Sequence, residues 1–203
     1  YNTSSRNYQD AVKSALQDTK TADGRTSIKN AIDALDGDGA TRTDCGVAMA
    51  KDIFDAKTIS DPNRYKDNKR NKVVVIFTDG SPTSSNGFEN EVANVAISNA
   101  KDLKTGGVTV YSIGIFNDAN VNGTSNENKF MNYVSSNYPT ATDMSSPGTA
   151  ADKLGYYLTA ADSAALNEIF SKIASEIGSS DVALNTTTQT IDKMSAEFKL
   201  PDG

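Results

Sequence analysis

The sequence predicts an α/β fold in which helices cover both faces of a parallel sheet, as in a doubly wound sheet. The first observation is the segment Lys72–Thr78, an almost continuous run of apolar, mostly β-branched residues without polar alternation. A strand of this kind is expected to be buried on both faces. The second observation is the alternation of strand and helix patterns after this segment, which right-handed crossovers connect into one sheet.

Three helices are predicted before this strand. In the first two, apolar residues recur every three or four positions and therefore share one helical face. These residues are Tyr8, Val12, Ala15 and Leu16 in the first helix, and Ile28, Ala31, Ile32 and Leu35 in the second. Thr26 or Ser27 is the expected N-cap of the second helix. After the turn-rich residues 36–40, a third helix has Val47, Ala50, Ile53 and Phe54 on its apolar stripe.

Helix and strand patterns alternate from the predicted strand to residue 178. A helix with Val92, Val95, Ala96, Ala100 and Leu103 facing inward is stopped by Gly106-Gly107. The next segments are a strand over Val108–Ile115, a short helix over Lys129–Ser135 and a strand over Tyr156–Thr159. The last helix is capped by Asp162 or Ser163, has Leu166, Ile169, Phe170, Ile173 and Ile177 on one face, and ends at Gly178.

The domain organisation follows from these elements. We assign residues 1–178 to one domain and residues 179–203 to a linker or the start of a following domain. The helices before residue 60 have no predicted strand to cover. Because helices of this fold pack on a sheet, we expect the first strands of the domain to lie upstream of Tyr1.

Composition excludes several classes of function. The 203 residues carry a formal net charge of −6, which disfavours nonspecific binding to nucleic acid or to anionic membranes. No apolar run approaches the ~18 residues of a membrane span, so we expect no membrane insertion in this segment. There is no His, which excludes histidine-based catalysis, and Cys45 is the single cysteine. We therefore expect a protein that is not an enzyme.

Two segments carry residues suited to binding a hard cation. Asp79 directly follows the predicted buried strand, and ligands of open α/β sheets bind at the carboxyl ends of the strands. A carboxylate there suits Mg²⁺, although the dipeptide Asp79-Gly80 is also typical of a simple turn. Thr41 precedes the third helix and offers a neutral hydroxyl oxygen, although Thr43 or Asp44 of the same segment also suits an N-cap.

Together, these segments resemble the von Willebrand factor A-type domain family. Gly39-Ala40-Thr41-Arg42-Thr43-Asp44 with Gly46 is similar to the family's glycine-rich turn, and Val73–Gly80 is similar to its strand ending in Thr-Asp-Gly. Val110–Ile115 looks like the family's fifth strand and Ser163–Ile177 like its last helix, so the resemblance covers roughly residues 10–178. It implies a Rossmann-like doubly wound parallel sheet.

The resemblance also implies a metal site. Thr41 would contribute its hydroxyl and Asp79 its carboxylate to Mg²⁺ (or Mn²⁺ or Ca²⁺), with Asp44 and Ser81 among the residues that surround these ligands. The family's first strand ends in Asp-x-Ser-x-Ser, which supplies the remaining ligands, and this motif occurs nowhere in the sequence. We therefore expect an N-terminally incomplete domain that binds the metal weakly or not at all by itself, since Mg²⁺ dehydrates reluctantly.

The implied function is adhesion. In the complete domain, a carboxylate of an extracellular protein ligand, such as a host matrix or surface protein, would bind at the cation. The Thr- and Asn-rich composition and the segment Asp192–Phe198 are similar to pilus-tip and cell-wall adhesins of Gram-positive bacteria, which implies the bacterial cell surface or cell wall. The alternative is a structural A-type domain of a surface fibre or pilus that binds no metal. A phosphotransferase with an aspartate nucleophile is disfavoured, because Phe77 occupies the position of its second Asp.

Overall fold

The computed structural model describes residues 14–35, 40–60, 71–78, 81–85 and 87–178. Within these ranges, five helices and three strands follow one another along the chain. They are α1 Ala22–Asp33, α2 Thr43–Ser60, β1 Lys72–Thr78, α3 Asn90–Thr105, β2 Val108–Gly114, α4 Asn126–Val134, β3 Tyr157–Thr159 and α5 Ser163–Gly178. The predicted alternation of helix and strand after residue 72 is confirmed.

The strands form a parallel sheet in the order β1-β2-β3. In the register of the sheet, Thr78 lies opposite Gly114, and Gly114 lies opposite Thr159. The three strands therefore end at the same level. The loops that follow them emerge side by side at one edge, which is where open α/β sheets bind ligands.

Two apolar clusters lie on opposite faces of the sheet, as the alternation of residues along β2 shows. Val108 and Val110 belong to the larger cluster, which includes residues of α2, α3 and α4. Tyr111 and Ile113 belong to the smaller cluster, where they pack with Ile173 of α5. Helices thus cover both faces, and the predicted Rossmann-like α/β architecture is confirmed.

The strand β1 differs from its prediction in burial. Ile76 and Thr78 are buried on the face that packs against α2 and α3. On the other face, Val75 and Phe77 are 37% and 48% exposed. Among the described residues, β1 is an edge strand, and on this face only Val73 packs against the cluster that contains Ile173 of α5. The expectation of burial on both faces is therefore not met within the described part of the chain.

The helices before β1 were predicted less accurately than those after it. Residues 14–18 are not helical, so the first predicted helix does not extend to Leu16, and its residues Tyr8 and Val12 lie outside the described residues. The second helix, α1, begins at Ala22, and its N-cap is Thr21 and not the predicted Thr26 or Ser27, because the hydroxyl of Thr21 accepts a hydrogen bond from the Gly24 amide. Its first turn contains no apolar periodicity that the sequence pattern could detect.

Two predicted helix boundaries are confirmed. Gly107 has a φ of +77°, which ends α3 in a conformation that glycine adopts without strain. At α5, the Asp162 carboxylate accepts a hydrogen bond from the Ala165 amide at 2.8 Å and is the N-cap. Some predicted inward residues are only partly covered: Val95 of α3 and Phe170 of α5 are 43% and 45% exposed.

Candidate cation site at the carboxyl end of the sheet

The candidate site lies where β1 ends and where the loop before α2 meets the loop after β1. Thr78 is the last residue of β1 and is 6% exposed. Asp79, the predicted carboxylate ligand, follows directly in the sequence and lies outside the described residues, as does Gly80. The described chain resumes at Ser81.

Thr41, the predicted hydroxyl ligand, is half-buried in the loop before α2. Its main-chain carbonyl accepts hydrogen bonds from the amides of Thr43 and Thr83, both at 3.0 Å. The bond from Thr83 joins this loop to the loop after β1. By contrast, the Thr41 hydroxyl has no hydrogen-bond partner among the described residues.

A groove of about 370 Å³ opens beside these residues, between α2 and β1. It is lined by Thr41, Thr43, Val47 and the carboxyl half of β1, among others. Within the described residues, the Thr43 hydroxyl oxygen is buried and has no hydrogen-bond partner. A buried unpaired hydroxyl is uncommon, because it has lost its hydrogen bonds to water without replacement. Two unpartnered hydroxyl oxygens therefore border one groove, and oxygen is the donor that a hard cation requires.

Asp44 lies in the first turn of α2 and forms a two-point ion pair with Arg42. Arg42 Nε donates to Asp44 Oδ1 at 2.8 Å, and an Arg42 terminal nitrogen donates to Oδ2 at 2.6 Å. Burial raises the pKa of the Asp44 carboxyl, but the hydrogen bonds and positive charge of Arg42, with hydrogen bonds from Cys45, outweigh burial and lower it overall. Both Asp44 oxygens thus face Arg42, and its predicted role beside the metal ligands stays a prediction.

Ser81 contacts a carboxylate that the sequence did not single out. The Ser81 hydroxyl donates to Glu127 Oε1 at 2.8 Å. Burial raises the pKa of Glu127, but hydrogen bonds from its own amide and from the Ser81 and Ser125 hydroxyls outweigh this and lower it overall. Glu127 therefore carries its negative charge into this edge of the sheet, where the N-terminus of α4 also favours an anion.

The position of Glu127 is set by its neighbour, Asn128, which is 2% exposed. Asn128 Oδ1 accepts from the hydroxyl of Tyr157 at 2.6 Å and from the amide of Asn120 at 2.8 Å. Asn128 Nδ2 donates to the Asp118 carbonyl at 2.9 Å. This buried network attaches the first turn of α4 to β3 and to the loop after β2, so Glu127 is held on a rigid support.

Glu89, immediately before α3, organises the rest of the loop after β1. Its two carboxylate oxygens accept five hydrogen bonds from the hydroxyls of Thr83, Ser84 and Ser85 and the amides of Ser84 and Ser85. These bonds, led by that from the Ser84 hydroxyl, lower the pKa of Glu89 to about 2. The only sequence signal for this arrangement is three consecutive hydroxyl residues shortly before an acidic residue at a helix start.

The described residues contain no group of three or more Cys, Asp or Glu side chains that could together hold a metal ion. The predicted site does not require such a group, since it combines a hydroxyl with one carboxylate, and the structure describes only the hydroxyl. The residues that are described fit a hard cation in the chemistry of their donors: Thr41 and Thr43 offer uncharged oxygens without partners.

The protein is an α/β domain with a parallel sheet, helices on both faces and polar loops at the carboxyl end of the strands. Domains of this class bind ligands at that edge of the sheet. A sequence model of the von Willebrand factor type A domain matches residues 4–172. Because this match covers most of the chain, the protein belongs to the von Willebrand factor type A domain family, whose members commonly mediate protein–protein interactions and often bind a divalent cation.

The other comparisons add no relative. No curated protein and no solved structure gave a significant match. In the described part of the chain, no helix is both long and apolar enough to cross a membrane.

Proposed function

We propose that this chain belongs to an adhesion or protein-binding module that holds a divalent cation at the carboxyl edge of its sheet. Thr41 contributes its hydroxyl and Asp79 its carboxylate to Mg²⁺, or to Mn²⁺ or Ca²⁺ in its place. When bound, the cation supplies an open coordination position for a carboxylate of an extracellular protein, such as a host matrix or surface protein. The protein acts at the bacterial cell surface or cell wall and is not an enzyme.

The observation that carries this proposal is that the Thr41 hydroxyl, the predicted ligand, makes no hydrogen bond with the described residues. It has no partner among the described residues, although the carbonyl of the same residue accepts two hydrogen bonds. The hydroxyl of Thr43 beside it is buried and also unpaired. A buried hydroxyl without a partner, such as that of Thr43, costs stability. The Thr41 hydroxyl is not buried, so it is accessible from the groove and available to a cation with its water.

The acidity of the protein is compatible with an acidic partner. The chain has a formal net charge of −6, so a partner carboxylate would be repelled in the absence of a cation. With a divalent cation between them, both surfaces are attracted to the same ion. Binding is therefore expected to require the metal and to be abolished by EDTA, whereas a partner that binds equally well in EDTA would contradict the proposal.

The second candidate function is a structural A-type domain that assembles a surface fibre or pilus without metal. It is favoured by two other groups near the site, which are satisfied without a cation. Both carboxylate oxygens of Asp44 accept from Arg42, and the hydroxyl of Ser81 donates to Glu127. In a domain of this kind, the polar edge of the sheet is stabilised by its own hydrogen bonds.

Calorimetric titration with Mg²⁺ and Mn²⁺ distinguishes the two functions. It is performed on this chain and on the full-length protein, each with and without Asp79→Ala. The exposed Asp152, with the substitution Asp152→Ala, is the matched control for the loss of one negative charge. Cation binding by the full-length protein that is lost in Asp79→Ala and kept in Asp152→Ala supports the adhesion module. Absence of binding in the full-length protein supports the structural domain.

A further inference from the structure

The described residues of the loop after β1 are attached to the rest of the molecule at three places. Glu127 of α4 binds the Ser81 hydroxyl, and the Thr41 carbonyl accepts from the Thr83 amide. The third attachment is Glu89, which binds residues 83–85 of the loop. Thr41, the predicted hydroxyl ligand, is therefore connected to the described part of this loop through Thr83.

Glu89 accepts most of the side-chain hydrogen bonds made by the described residues of this loop. Its Oε1 accepts from the Thr83 hydroxyl at 3.1 Å and from the Ser84 and Ser85 amides at 3.1 and 3.0 Å. Its Oε2 accepts from the Ser84 hydroxyl at 2.6 Å. In addition, the Glu89 amide donates to the Pro82 carbonyl at 2.8 Å, which closes the loop through the main chain.

This carboxylate does not cap the helix that follows it. Glu89 is the N-cap residue of α3, yet its side chain makes no hydrogen bond to the first amides of α3. The side chains that usually cap a helix, those of Ser, Thr, Asp and Asn, accept from these amides. The Glu89 side chain turns instead toward the loop that precedes it, so stabilising α3 does not account for its contacts.

A short series of contacts leads from Glu89 to Thr41. Glu89 Oε1 holds the Thr83 hydroxyl, and the Thr83 amide donates to the Thr41 carbonyl at 3.0 Å. That carbonyl also accepts from the Thr43 amide, which fixes the main chain of Thr41 from a second direction. The Thr41 hydroxyl stands on this same residue and has no partner of its own among the described residues.

We propose that Glu89 is a positioning residue for the cation site: it fixes the loop after β1, and the loop fixes the main chain of Thr41. This inference rests on the function proposed above. Glu89 itself does not bind the ion, since its two oxygens are occupied by hydroxyl and amide donors of the loop. Its removal lowers cation affinity through the placement of Thr41, as loss of a residue that orients metal ligands does elsewhere.

The test compares Glu89→Ala and Glu89→Gln in the full-length protein. Glu91→Ala is the matched control, because Glu91 lies in the first turn of the same helix, is exposed, and makes no hydrogen bond or ion pair with described residues. Glu89→Ala removes all five side-chain hydrogen bonds, whereas Glu89→Gln keeps one oxygen for the Ser84 and Ser85 amides. Glu89→Gln therefore serves as the folded variant if Glu89→Ala unfolds, which circular dichroism reveals.

Two readouts are measured on each protein. Hydrogen–deuterium exchange followed by mass spectrometry reports the opening of the peptide that contains Thr83, and exchange should be about tenfold faster in Glu89→Ala than in the parent. The electron paramagnetic resonance signal of free Mn²⁺ reports cation binding, and Kd should rise about tenfold in Glu89→Ala, less in Glu89→Gln, and less than twofold in Glu91→Ala.

The outcomes separate this inference from the proposed function. If the parent protein binds Mn²⁺ and Glu89→Ala and Glu89→Gln bind it equally well, Glu89 does not position the site, whatever the exchange shows. If loop exchange is unchanged while Mn²⁺ affinity falls, the route through Thr83 is wrong. If the parent protein does not bind Mn²⁺, the proposed cation function fails, and the positioning role fails with it.

Discussion

The amide of Thr83 donates a hydrogen bond to the carbonyl of Thr41 at 3.0 Å, and this bond joins the loop before α2 to the loop after β1. The first loop carries the predicted hydroxyl ligand, and the second begins with Asp79. The two segments of the family motif are distant in sequence but share this contact in the fold. The bond holds the main chain of Thr41 against the loop that follows β1, which is the arrangement that the proposed cation site requires.

The first prediction concerns the Thr41 hydroxyl. In the full-length protein, Thr41→Val is expected to raise the Mg²⁺ Kd at least about tenfold, because it removes a ligand oxygen while preserving side-chain shape. Since the hydroxyl has no partner among the described residues, stability should change by less than about 0.5 kcal/mol. Calorimetry and urea unfolding measure the two effects, with the exposed Thr26→Val as control. Unchanged Mg²⁺ affinity would exclude Thr41 as a ligand.

The second prediction concerns the ion pair of Arg42 and Asp44, whose side chains are 11% and 6% exposed. Asp44→Ala removes one member of a nearly buried pair, and the free energy of unfolding should fall by about 3 kcal/mol. Combining it with Arg42→Met should recover part of this loss, because the second change removes the charge left behind. Urea unfolding of the four proteins in the double-mutant cycle measures the coupling. A coupling energy near zero would show that the ion pair contributes nothing to the free energy of unfolding.

The third prediction is a dependence on pH. The pKa of Glu89 is about 2 in the folded protein, below its ordinary 4.5, so its stabilising contribution is complete above pH 4.5 and is lost as the pH falls toward 2. The difference in free energy of unfolding between the parent and Glu89→Gln should therefore shrink across this window. Chemical unfolding at several pH values measures it. The other carboxylates titrate in both proteins and do not contribute to this difference. If the difference in the free energy of unfolding does not change with pH, the assignment to Glu89 is contradicted.

The fourth prediction tests the support of Glu127. Asn128→Leu leaves the buried Tyr157 hydroxyl and the partly buried Asn120 amide and Asp118 carbonyl without this partner. We expect a loss of about 3 kcal/mol in the free energy of unfolding, because each unpaired buried group costs 1–3 kcal/mol. Tyr157→Phe removes one donor of the same network and should cost about 1 kcal/mol. Equal losses in the two variants would show that the network is not organised around Asn128.

Much of the fold after residue 72 was predictable, because its signals are local. The apolar run of β1, the glycines that end α3 and the carboxylate of Asp162 each act within a few residues of the chain. The start of α1 was missed, because Thr21 caps a first turn that has no apolar pattern. The partial exposure of β1 also escaped prediction, since burial depends on which segments lie over a strand and not on the strand alone.

The sequence by itself determined the α/β class, the order of the elements and the candidate ligands Thr41 and Asp79, because strand and helix periodicities and short motifs are properties of neighbouring residues. Only the tertiary structure decided which groups surround Thr41 and the loop after β1. Ser81 and Glu127 are 46 residues apart in sequence, and the contact of Thr83 with Thr41 likewise joins two separate loops. Such contacts depend on the parallel register that ends β1 and β2 at the same level, and no local pattern encodes that register.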